Sequence, residues 1–182
     1  MKYNDLDLGQ IEAVVNKLGG MEGVNLFLSG KTSVKPISNI IDCSQMPKIP
    51  KNAWGISKNV DGVPFEWNPE KVELYQSPRF KNGGVAPTYE QLLEELKGRT
   101  LLGGIVLDFL LEHPHLIPEE WADLRGTIFF PGTEYYDYST GHRDRIIIRA
   151  LYKSGGAGWL SLHKDFLEHK SCDVGSYFVI LK

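Results

Sequence analysis

Cysteine is scarce in this chain: Cys43 and Cys172 are the only two among 182 residues, and they lie far apart. Two such residues leave room for one bridge at most, and the plainer reading is two reduced thiols in a cytosolic protein. Surplus charge is also small. Twenty Lys+Arg stand against 23 Asp+Glu, a net charge of -3, so there is no global positive field to hold nucleic acid. Long apolar runs are missing. The most hydrophobic stretch, Leu101 to Leu111, is interrupted by Asp108 and flanked by Arg99 and Glu112. As a helix it spans roughly 16 Å, about half a bilayer core, which predicts a buried helix and no membrane anchor. Met1-Lys2-Tyr3-Asn4-Asp5 carries neither the apolar core nor the small-residue cleavage site of a secretory leader, so a cytoplasmic protein is expected. No internal repeat is visible, which removes solenoids and propellers.

What is present suits a folded domain: 42% hydrophobic, 24% charged and 11% aromatic residues, with 19 Gly and 10 Pro. In the head, Leu8, Ile11, Val14, Val15 and Leu18 recur at helical spacing, and Gly19-Gly20 ends that helix. Val24, Phe27 and Leu28 mark a second short helix, stopped near Gly30. The middle of the chain is rich in turns. Val34 to Ile41, interrupted by Pro36, reads as an edge strand. Trp54-Gly55-Ile56-Ser57 and Val63 to Trp67 flank Asp61-Gly62 and predict a hairpin, and Val72 to Tyr75 predicts a further strand.

A neck of helices follows. Thr88-Tyr89-Glu90-Gln91 fits a capping box, in which the threonine accepts from the first turn and the glutamine reaches back. The apolar Leu101 to His113 segment predicts a helix at the centre of the core. Pro118-Glu119-Glu120-Trp121 opens a short third helix. The tail reads as an antiparallel meander. Thr127 to Phe130 and Glu134 to Tyr138 are separated by a bend or bulge at Pro131-Gly132. Arg145 to Tyr152 and Trp159 to His163 follow, then a helical turn from Asp165 to His169 and a last strand from Tyr177 to Leu181. The expected division is a helical head (1–31), a turn-rich β middle (32–87), a helical neck (88–126) and an antiparallel β tail (127–182), together one compact unit. The expected fold is α+β: a helical hairpin and helical neck packed on a twisted antiparallel sheet, with the C-terminal part a small SH3-like barrel or strongly bent sheet.

Two segments carry a family likeness. One is Val14 to Val24 with its Leu18-Gly19-Gly20-Met21-Glu22-Gly23-Val24 core, through Phe27-Leu28-Ser29-Gly30. The other is Val106 to Leu111 followed by Leu116-Ile117-Pro118-Glu119-Glu120-Trp121, a strand and a Gly-Gly hairpin. Together they make the chain resemble a group of short bacterial proteins of unknown function. The resemblance implies a bacterial, cytosolic setting and no particular activity.

Several chemical motifs dissolve on inspection. Gly30-Lys31-Thr32 looks like the end of a phosphate-binding loop, but Asn25 stands where that loop needs glycine, and a helix precedes it in place of a strand. The head hairpin has the dimensions of a helix-turn-helix, yet Met21 to Ser29 holds no Lys or Arg for phosphate contact. His163, His169 and Cys172 form a weak candidate metal set whose spacing matches no ribbon or finger. Ser161 with His163, or Cys172 with His169, lacks the elbow and the orienting acid of a nucleophilic triad. No cofactor is expected.

The most informative stretch follows Gly141. At strand period, Arg143, Arg145, Ile147, Arg149, Leu151 and Lys153 share one face, expected outward, while Ile146, Ile148, Ala150 and Tyr152 face the core. With Tyr135, Tyr136 and Tyr138 on the hairpin partner and Trp159 on the next strand, this makes a basic-aromatic surface. The competing reading is that Glu134 and Asp137 neutralise the arginines across the hairpin. The expectation is a non-catalytic cytosolic interaction module that binds a protein partner through Arg143, Arg145, Arg149, Lys153, Tyr135, Tyr136, Tyr138 and Trp159, with no membrane involved. The alternatives are a small metal-dependent or general-base hydrolase built on His163 and His169, and a single-stranded nucleic-acid-binding protein.

Overall fold

The computed structural model describes residues 7–18, 20–31, 39–60, 64–80, 87–124, 126–137, 145–155, 158–166 and 175–182, with residues 10, 13, 17 and 163–166 described by backbone alone. The chain divides into two compact units, Met1–Ser38 and Asn39–Lys182.

The first unit is a helical hairpin, α1 (Leu8–Lys17) and α2 (Gly20–Leu28). A β-carbon on Gly23 would fall on the Leu18 carbonyl, so glycine is what lets α2 turn back so closely on the end of α1. Gly30, at φ 70°, closes α2 in the left-handed conformation, and the Lys31 amide donates to the Leu26 carbonyl at 3.0 Å. No described residue of α2 is buried.

The second unit is built on strands β1 (Ile40–Ile41), β2 (Ala53–Asn59), β3 (Phe65–Glu66), β4 (Val72–Tyr75), β5 (Thr127–Asp137), β6 (Ile146–Ser154), β7 (Gly158–Phe166) and β8 (Ser176–Leu181). Helices α3 (Tyr89–Glu95) and α4 (Gly104–Glu112) fall between β4 and β5, and short 3₁₀ turns flank them. The main sheet runs β4-β8-β5-β6-β7, with β2 also paired to β5. β1 and β3 make a separate two-stranded ladder. The expected hairpin across Asp61-Gly62 is therefore replaced: β2 joins β5 and β3 joins β1. Positions 61–63 and 32–38 lie outside the described residues.

β5 organises the sheet. One flank carries β6. The other takes β8 along Thr127 to Phe129, in parallel, and then β2 along Thr133 to Asp137. The change of neighbour falls at the expected bulge. Gly132 donates to the Leu102 carbonyl at 3.0 Å and its own carbonyl accepts from Val60 at 2.8 Å, so one bond continues the β2 pairing and the other goes to the segment ahead of α4. A β-carbon on Gly132 would collide with the backbone of Leu101 to Gly103. Because β8 pairs in parallel with β5, the tail is not a simple antiparallel meander.

Alternation along these strands sends side chains to two opposite apolar layers. Ile128, Phe130, Leu151 and Val179 pack with Val106, Leu107 and Leu110 of α4. Phe129, Ile148, Ala150, Phe178 and Ile180 pack with Tyr89, Leu92 and Leu96 of the α3 segment. Each fully buried aliphatic or aromatic side chain contributes about 1.5–3 kcal/mol, so covering both faces is the main stabilising feature. The SH3-like barrel is thereby corrected. The sheet stays open between edge strands β4 and β7, which do not pair with each other, and helices rather than the sheet's own curvature cover its faces.

The helices form for readable reasons. Thr88 accepts from the Gln91 amide at 3.3 Å and the Gln91 side chain accepts from the Thr88 amide at 3.1 Å, completing the capping box. The Pro118 segment forms the expected short helix as a 3₁₀ helix, Glu119–Asp123. It seats Trp121 edge-on against Trp67, with ring centroids 6.3 Å apart, and the Trp67 indole donates to the Leu116 carbonyl at 3.0 Å. No helix among the described residues is long and apolar enough to cross a membrane.

Candidate functional site

The strand expected to carry an outward basic stripe is buried on both faces. Ile147, Arg149 and Leu151 are as inaccessible as Ile148 and Ala150. The stripe expectation is corrected at these positions because α4 covers the face on which it was placed. Arg149 instead reaches inward. Its Nη2 lies 2.7 Å from Asp108 Oδ1 of α4, with both side chains less than a tenth exposed. Its Nη1 donates to the Lys48 carbonyl at 3.0 Å, and the Lys48 amide donates to Asp108 Oδ2 at 2.7 Å. Burial opposes the charge on Arg149, but Asp108 and the neighbouring Tyr135 hydroxyl outweigh it and push its pKa further up. Burial likewise pushes the Tyr135 phenol up, against the pull of the guanidinium.

The remaining surface candidates separate. Tyr135 is fully buried beneath the N-terminus of α4, whereas Tyr136 is exposed. Arg145 is half-buried, and its carbonyl accepts from the Asp137 amide at 2.9 Å. Arg143 and Tyr138 lie outside the described residues. Lys153 and Trp159 are brought together: they are directly opposite on β6 and β7, with the ammonium 5.1 Å from the ring centroid. Glu134 is held by Lys58 at 3.8 Å and by the Tyr89 hydroxyl at 3.1 Å. It therefore does not neutralise Arg149.

The side chain of His163 and the whole of His169 and Cys172 lie outside the described residues, so the weak metal set does too. Among the described residues no three His, Cys, Asp or Glu side chains converge to hold a metal ion. The strand β7 continues through Asp165 and Phe166, where a helical turn was expected to begin. Cys43 is a free, buried thiol whose pKa is pushed up by burial and by Asp42.

Sequence reasoning missed the groove between the segment around Ile40 to Lys48 and α4. It encloses a cavity of about 290 Å³. One turn-to-turn stripe of α4, Ile105, Asp108, Phe109 and Glu112, forms one wall. The other wall includes Ile40, Asp42 and Met46. Asp42 is held below its usual pKa by the Ser44 hydroxyl and the Gln45 amide, and Glu112 is held below its own by Lys48, whose Nζ stands 2.8 Å away. Both rim carboxylates are therefore ionised at neutral pH. The one signal that could have found this wall was the isolated Asp108 within an apolar helix.

The chain matches no family model, no curated protein and no solved structure.

Proposed function

We propose that this protein is a non-catalytic, cytoplasmic interaction module that captures a protein partner along the β6–β7 margin of its sheet. The observation that carries this reading is the Lys153–Trp159 pair. An exposed ammonium stacked on a partly buried indole, on two directly paired strands, presents a cationic and aromatic anchor already assembled. Tryptophan is among the residue types that dominate binding energy at protein interfaces, and Lys153 stands over the Trp159 ring. Tyr136 adds an exposed ring elsewhere on the sheet. Arg149 and Tyr135 support the scaffold from inside and take no part in contact.

A protein is favoured over a single nucleic-acid strand because the chain's net charge is -3 and Arg149 is already neutralised by Asp108. Affinity capture from the source cells tests the reading. Lys153→Glu is expected to strip the captured partner from the wild-type profile while the thermal unfolding curve stays in place, since surface substitutions usually shift stability by less than about 0.5 kcal/mol. An identical set of captured proteins at identical yield overturns it.

A further inference from the structure

We infer that the groove between the 40–48 segment and α4 is a binding site for a small amphipathic cation: a short alkyl chain ending in an ammonium or guanidinium group. Three features select this chemistry. The cavity, about 290 Å³, is at the lower end of ligand-pocket size and admits one extended chain. Its apolar lining comes from Ile40, Met46, Ile105 and Phe109, of which Ile40 and Met46 are 59% and 69% exposed and have surface to bury against a hydrocarbon. The charge at its mouth is negative. Glu112 and Lys48 pair with each other and Asp108 is neutralised by Arg149, so the surplus charge is that of Asp42, whose carboxylate is held in place by Ser44 and Gln45. An anion of the same length would meet this net negative charge, and a neutral chain would gain nothing from it.

The walls are fixed before any ligand arrives. Asp108 accepts from the Lys48 amide and Arg149 donates to the Lys48 carbonyl, so the segment bearing Asp42 and Met46 is fastened by its main chain to both the helix and the sheet. A preformed groove avoids the ordering cost of closing on its ligand.

The test is an NMR titration of the full chain at low salt with n-butylamine, with butyrate as the anionic counterpart and with a blocked Gly-Arg-Gly peptide. Butylamine, protonated at neutral pH, is expected to shift the amides of Met46, Ile105 and Phe109 saturably, and butyrate is expected to leave them in place. Added salt should weaken the response. Asp42→Asn with Glu112→Gln should weaken butylamine about tenfold, the loss typical of a charge-assisted contact. Tighter binding of the peptide than of butylamine assigns the cation to a partner's side chain, and the reverse order assigns it to a free amine. Equal shifts with butyrate, or no saturable shift in the groove with either cation, overturn the inference. Lys153→Glu should leave this titration unchanged, which separates the groove from the β6–β7 margin.

Discussion

The guanidinium of Arg149 donates to the carbonyl of Lys48, 101 positions earlier in the chain. Together with its ion pair to Asp108, this bond ties a surface segment, a helix and a central strand at one point. Arg149→Met leaves a carboxylate buried without its counter-charge, and the expected cost is about 3–5 kcal/mol. Asp108→Leu in the same chain should recover part of that loss. Recovery should be incomplete, because the Lys48 amide and carbonyl both lose their partners. Urea unfolding of the two single variants and the double variant measures this, and strictly additive losses would refute the coupling.

Gly104 opens α4 directly over Tyr135, and a β-carbon there would fall on the phenolic oxygen and press on Pro47. Helix propensity alone favours alanine over glycine by about 1 kcal/mol, so the sign of Gly104→Ala decides between local and tertiary control. The close approach should win, with a net loss of about 1–3 kcal/mol as in other overpacked sites. Tyr135→Phe in the Gly104→Ala background should restore part of it by removing the obstructing oxygen. Thermal unfolding of the single and double variants reads both effects.

Tyr75 sets a pH dependence at the alkaline end. Burial first, and then its hydrogen bond to Glu95 at 3.0 Å, raise its pKa to about 12 from the ordinary 10. The folded state holds this proton more tightly than the unfolded state. Its contribution to stability is therefore complete below pH 10 and is lost as the pH climbs through about 12. Tyrosinate absorbance after a rapid pH jump, taken as wild type minus Tyr75→Phe, should show one phenol ionising late. Glu95→Gln should bring that ionisation part of the way down, leaving the share due to burial. A difference curve centred at the ordinary value in the wild type would contradict the environment described.

Much of the architecture was legible where short-range rules decide. The capping box at Thr88, the helix ending near Gly30, the buried helix around Val106 to Leu110 and the bulge at Pro131-Gly132 all follow from local chemistry. Pairing across long separations was not legible. Trp54-Gly55-Ile56-Ser57 and the strand around Phe65 alternate like a hairpin, yet each found its partner elsewhere, because period-two patterning says which residues share a face and not which strand lies alongside. The basic stripe misled for a related reason. Period two correctly separated Arg149 from Ile148, but a strand covered on both sides has no outward face, and the helix covering Arg149 starts 45 residues earlier in the chain, at Gly104. Arginine beside isoleucine and leucine looks like a surface until Asp108 is known to wait opposite.

β8 has a consequence for biosynthesis. The last strand of the sheet to leave the ribosome is inserted between β4 and β5, so the nascent chain must hold two incomplete edges open until Ser176 to Leu181 emerge. The pairings that close the centre of the sheet are therefore long-range ones, the kind that slow folding. Until then Ile128 and Phe129 lack their strand neighbours Tyr177 and Phe178, so an apolar strand edge stays unpaired.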